Sequence, residues 1–238
     1  MALASLSLFS PPPPPPPPKT LTAIQNSGVI ACLRAHEYFL TLSLYLASIG
    51  TISGKTAMDA ASAALRGGIS VLEIVMSTPG VLEVIKDLRK DHPSLTFGTL
   101  KSSVYFLKSY HEILLELEGS EILYIPGVMT PTEVLLAYNA GAKIVKVYPV
   151  SLLGGEKYIS ALKKPFPHVP MVASQGVTTE SIGRYIEAGA SAVVLSDAIF
   201  DKGAMQQRSF DEIERLASCA DDSDDEVSMT KNTMYPDI

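Results

Sequence analysis

Residues 137–149 read AYNAGAKIVKVYP. A helical stretch runs into a glycine that can take the left-handed turn ending a helix, and a strand of Val and Ile follows. The same form recurs in AALRGGISVLEIVM (Ala63–Met76) and YIEAGASAVVLSD (Tyr185–Asp197). Strands this continuously apolar suit a parallel sheet covered on both faces. Helix before strand, repeated, is the βα pattern.

The rest of the chain extends the pattern outward. Further strands are expected at GVIACL (Gly28–Leu33), LTFGTL (Leu95–Leu100), EILYIPG (Glu121–Gly127) and PMVASQG (Pro170–Gly176). Helices are expected over 56–66, 79–91, 131–139, 157–162, 179–188 and 210–218. Thr130, Pro131 and Glu133 carry the marks of a capped helix start with a capping box. The expectation is an α/β chain wound as a (β/α)8 TIM-type barrel, with an open doubly wound sheet as the alternative. At 238 residues, 47% of them hydrophobic, the chain suits one such barrel of roughly 250 residues.

Three parts are expected. Residues 1–20 form a disordered proline-rich leader, in which Pro11–Pro18 make a polyproline II rod. With no acid before Glu37, this leader also reads as a transit peptide, so chloroplast and cytoplasm are the two expected locations. Residues 21–219 form the barrel, and 220–238 an acidic disordered tail.

Asp221, Asp222, Asp224, Asp225 and Glu226 supply five of the six net negative charges, so the body is nearly neutral. It has no basic stripe for a phosphate backbone, which argues against nucleic acid as a partner. The longest apolar run, Tyr38–Ile49, falls short of the about 20 residues of a membrane span, so no membrane partner is expected. The two cysteines make no disulfide framework, and Cys32 reads as a small buried hydrophobe. Four scattered histidines lack metal-ligand spacing, so neither metal nor cofactor is expected.

Aligned on the helix-ending glycine, Glu73 stands five residues after Gly68 and Lys146 five after Gly141. Alternation along a strand then points both side chains to the same side, into the barrel if the strands form one. A carboxylate and an amine in an apolar interior are expensive unless paired or useful. From spacing alone two readings stand level. One is an ion pair joining two strands. The other is a lysine that, out of water, is held as the free amine that attacks a ketone, with the carboxyl group moving protons.

The order of GVIACLRA, VLEIVMST, Gly98-Thr99, LYIPGVMTPTE, AKIVKVYP and ASQG resembles the 2-keto-3-deoxy-6-phosphogluconate / 4-hydroxy-2-oxoglutarate (KDPG/KHG) aldolases, most of all a plant member. The resemblance covers about Leu21 to Cys219. It implies a metal-free class I aldolase, usually a homotrimer, that cleaves a small 4-hydroxy-2-oxo acid to pyruvate and an aldehyde. Lys146 matches the family's Schiff-base lysine and Glu73 its general acid/base. Thr99 matches a threonine lining the pyruvate pocket, Arg34 a substrate-facing arginine, and Gly176 a substrate-binding position. A catalytically weak barrel serving as a binding or assembly subunit is the competing expectation. A phosphate-binding isomerase or epimerase would need a glycine-rich cradle near Asp197, which is missing.

Four departures stand out. Ser77 occupies the place of an arginine that grips the substrate carboxylate in bacterial members, so carboxylate binding there is expected to weaken. Asp197 stands where phosphate-binding members have a Gly-Gly-Ser-like turn, and Gln175 replaces another glycine of that pocket, which favours an unphosphorylated substrate. Glu37–Lys55 looks inserted after the first strand. Residues 101–120 read as one helix in place of a helix, strand and helix, so the fourth strand has no candidate and the barrel is expected to be incomplete.

Overall fold

The computed structural model describes residues 18–34, 54–75, 80–100 and 123–234, with side chains described except at 98–100 and 224–234. The Tyr38–Ile49 run, the expected helix at 101–120, Ser77 and the proline run up to Pro17 lie outside the described residues. In chain order the elements are α1 (Lys19–Ser27), β1 (Val29–Leu33), α2 (Gly54–Arg66), β2 (Val71–Val75), α3 (Val81–Asp91), β3 (Thr96–Leu100), β4 (Gly127–Val128), α4 (Pro131–Asn139), β5 (Val145–Val147), α5 (Val150–Leu153), α6 (Glu156–Lys163), β6 (Met171–Ser174), a 3-10 turn (Thr179–Ser181) entering α7 (Ile182–Glu187), β7 (Ala192–Leu195), α8 (Lys202–Gln207) and α9 (Phe210–Met234).

All seven strands are parallel, in the order β3-β2-β1-β7-β6-β5-β4. The first strand lies beside the last, and the walk proceeds stepwise in both directions. A doubly wound sheet does not place its last strand next to its first. This is the order of a (β/α) barrel opened between β3 and β4, and among the described residues no strand joins those two edges. The walk is continuous on the other side, where α9 packs on α2. The helices approach so closely at Gly67 that a Cβ there would overlap Ala217.

Two apolar clusters follow from side-chain alternation. Val29, Ala31, Leu33, Leu72, Ile74, Val145, Val147, Met171, Ala173, Val193 and Leu195 face the helices. Ile30, Cys32, Val71, Val75, Ile144, Val172, Ala192 and Val194 face one another on the concave side. Leu21 and Ile24 of α1 are buried in this inner cluster, so the helix from Lys19 packs as part of the body.

Two expectations are corrected. Within the described part of the strand expected at Glu121–Gly127, residues 123–126 are unassigned and the strand is Gly127–Val128. Pro126 has no N–H to donate, and the described ladder comes from β5 alone, through Lys146 N–H to the Pro126 carbonyl at 2.8 Å. The disordered tail expected from 220 is instead helical, since α9 runs on to Met234. Ala217 and Ala220 are fully buried and Asp221 lies against Gly68, so the helix is anchored past the expected boundary. Once nucleated, each further residue adds a hydrogen bond.

Candidate active site

Strand β2 is VLEIV, and its alternation sends Val71, Glu73 and Val75 inward while Leu72 and Ile74 meet the helices. On β5, Val145 and Val147 meet the helices, and Lys146 takes the inward phase begun by Ile144. The glycines that launch these strands, Gly68 and Gly141, hold φ of 101° and 102°, and Gly189 in the third repeat holds 103°. Val194, five residues after Gly189, faces the same interior. The repeat therefore presents the same inward position three times, twice with an ionisable group.

In the sheet β2 and β5 are four places apart, about 19 Å in a flat sheet at ~4.8 Å per strand. Nevertheless Lys146 Nζ donates to Glu73 Oε1 at 3.2 Å and to Oε2 at 3.1 Å. Only a strongly curled sheet brings them together, so this contact is also the clearest measure of barrel curvature. The Lys146 and Glu73 side chains are 8% and 13% exposed. The inner cluster on this face includes Ile30, Val71, Val75, Ile144, Val172 and Val194.

Cys32 is the register partner of Glu73 on β1. It is fully buried, and burial first, then the Glu73 charge, pushes its thiol up to about 11. A thiol held neutral is no nucleophile at ordinary pH. This agrees with its reading as a small buried hydrophobe.

Arg34 ends β1, two residues beyond Cys32 and on the same face by alternation. It is half-buried, and its buried Nε has no hydrogen-bond partner among the described residues. Burial opposes its charge, but Cys32, Tyr148 and Asp197 outweigh that penalty and raise its pKa, so the guanidinium remains a cation. A fixed positive charge with an unused, desolvated N–H stands at the C-terminal end of the strands, where α/β barrels place their chemistry.

The other expected residues divide. Gly176 follows β6 at φ 73°, and a Cβ there would overlap the Ser151 side chain. Gln175 before it holds φ 81°, and its Oε1 accepts from Ser151 Oγ at 2.7 Å. Asp197 is exposed in the turn after β7. The backbone of Thr99 stands opposite Ile74, one place past the row of Cys32, Glu73 and Gly98, so the register does not bring it onto the row of the ion pair.

Sequence reasoning missed three neighbours. Tyr148 lies two residues after Lys146, and its phenol is close enough to act on Arg34. Ser174 is buried two residues after Val172, at the end of β6. Ser196 donates its hydroxyl to the Cys32 carbonyl at 2.8 Å, tying β7 to β1. The period of two, carried one step past each strand's central residue, is the signal that finds all three. Surface hollows at Gly54, Met58, Gly80 and Asp87, and at Tyr138, Ala142 and His168, touch neither Lys146 nor Glu73.

Comparison with known proteins gives a consistent result. Residues 110–216 match the family model "KDPG and KHG aldolase", a span that contains Lys146. A 2-dehydro-3-deoxy-phosphogluconate aldolase from Pseudomonas aeruginosa is 26% identical over 172 residues, 66% of this chain and 78% of that one. A 2-dehydro-3-deoxy-6-phosphogalactonate aldolase from Escherichia coli K12 is 32% identical over 100 residues, 42% of this chain and 48% of its own. In fold, the chain resembles the Legionella pneumophila KDPG aldolase, crystallised with pyruvate captured as a covalent carbinolamine. The TM-score is 0.66 at 19% identity, covering 85% of this chain and 98% of that one.

Proposed function

Because the chain belongs to the KDPG and KHG aldolase family, we propose that it is a class I aldolase cleaving a 4-hydroxy-2-oxo acid to pyruvate and an aldehyde. The observation that carries this reading is the contact of Lys146 Nζ with both carboxylate oxygens of Glu73 inside the curled sheet.

In this reading Glu73 takes a proton from the Lys146 ammonium, and the amine attacks the C2 ketone. Glu73 returns the proton to the carbinolamine hydroxyl, which leaves as water, and an iminium remains. The Glu73 carboxylate then takes the C4 hydroxyl proton, the C3–C4 bond breaks with its electron pair drawn into the iminium, and the same proton is available from Glu73 for C3. The aldehyde departs, leaving an enamine. Protonation at C3 and hydrolysis release pyruvate and restore the amine. Arg34, with its unpaired Nε–H, receives the carboxylate of the oxo acid.

Sodium borohydride added with pyruvate tests the reading directly. The expected result is a stable mass increase on Lys146 and none on a Lys146→Ala variant. Folded protein that forms no adduct removes the assignment.

Among the described residues no strand joins β3 to β4, which favours one second reading, a catalytically weak barrel kept as a binding or assembly subunit. It calls for a folded oligomer with no pyruvate release from any 4-hydroxy-2-oxo acid. In either case the assembly is read as a homotrimer. The exposed Met129, Leu135, Leu136 and Tyr138, in and around α4, support burial against another copy.

A further inference from the structure

The backbone register of β1 against β7 ends with Ala31 opposite Leu195. One residue further on, the Ser196 hydroxyl donates to the Cys32 carbonyl at 2.8 Å. The Ser196 carbonyl turns elsewhere, accepting from the N–H groups of Ile199 at 3.0 Å and Phe200 at 2.8 Å, and so closes the turn after β7. A side chain therefore carries the pairing of these strands one step past the point where their backbones part. The bond fixes the peptide plane between Cys32 and Leu33, while on the other flank of β1 Leu33 stands opposite Ile74. Arg34 follows two residues after Cys32, about 7 Å along the strand. Its Nε is buried without a hydrogen-bond partner among the described residues, so no bond at that atom aims the guanidinium. The end of the strand beneath it must supply the aim.

We propose that Ser196 is a positioning residue, which through the Cys32 carbonyl holds the end of β1 so that Arg34 meets the carboxylate of the bound oxo acid. The inference rests on the aldolase reading, in which Arg34 receives that carboxylate, and adds the residue that sets its place. Alanine or glycine at 196 would leave the Cys32 carbonyl without this donor, whereas threonine keeps it. Ser196 itself touches no reacting atom in this account. Its effect passes through one group of the substrate, the carboxylate, and leaves the meeting of Lys146 with the C2 ketone alone. A ketone that has no carboxylate is therefore blind to it.

The test measures the borohydride-trapped adduct on Lys146 of the full chain against the concentration of pyruvate, and of acetone, which carries a methyl group in place of the carboxylate. Ser196→Ala should raise the half-saturating pyruvate concentration roughly fivefold, the worth of one hydrogen bond, with labelling at saturation unchanged. The acetone curve should not move. In an Arg34→Gln background Ser196→Ala should add nothing, and Ser196→Thr should keep the wild-type curve. Ser196→Cys, close in shape but a feeble donor, takes the place of the alanine variant if that one does not fold. Equal weakening for both ketones, an effect that persists without Arg34, or an unmoved pyruvate curve overturns the proposal and leaves the aldolase reading standing, since the wild-type adduct has formed. Folded wild type that forms no adduct removes both.

Discussion

Removing the Lys146–Glu73 pair one partner at a time, and then both together, shows whether the fold or the chemistry retains it. Each single substitution, Lys146→Met or Glu73→Leu, leaves one charge on the face of Ile30, Cys32, Val71, Val75 and Val172 without the partner it has among the described residues. Breaking a buried pair in this way costs about 3–5 kcal/mol. With a urea m-value of about 2–3 kcal/mol/M, the midpoint should fall by roughly 1–2.5 M. The stranded carboxyl of Lys146→Met can relieve itself by binding a proton, so its loss shrinks as pH is lowered.

Lys146→Met/Glu73→Leu fills the same space with apolar atoms and strands nothing. It should match the wild type or exceed it by about 1–4 kcal/mol, because desolvating two charges consumes most of what their attraction returns. A double variant more stable than the wild type, but without adduct formation, would mean that the pair is kept at the expense of stability. Singles within about 1 kcal/mol of wild type, or a double variant that loses the sum of both, would refute the reasoning by showing that the pair is solvated or is itself the barrel's fastening.

The structure sets three further expectations. The folded chain keeps the Cys32 proton between the usual 9.0 and about 11 while the unfolded chain loses it, so stability should fall with rising pH across that window by about 2–3 kcal/mol; denaturation of wild type and Cys32→Ala at pH 8 and 11 should differ by that amount, and an equal pH response would contradict it. Gly176→Ala meets both a positive φ and the Ser151 side chain and should cost about 1–3 kcal/mol, of which Ser151→Gly recovers only the steric part in thermal unfolding. Thr130 accepts from Glu133 N–H at 3.3 Å while Glu133 Oε2 accepts from Thr130 N–H at 2.8 Å, so Thr130→Ala should lower stability by about 1 kcal/mol.

By itself the sequence determined what depends on neighbours along the chain. The glycine-ended helices, the apolar strands, the Thr130 capping box and the shared phase of Glu73 and Lys146 follow from periods of 3.6 and 2, which act over a few residues. Tertiary structure alone decided the rest. Lys146 and Glu73 meet because a sheet with β1 beside β7 curls until strands four places apart face each other, and curl is a sum of twists over strands far apart in sequence. The unpaired Nε of Arg34, the Thr99 register and the shortness of β4 likewise depend on what lies on adjoining strands. Ala220 and Asp221 kept α9 going where composition pointed to a solvated tail, because burial against α2 outweighs the local preference of an acidic run.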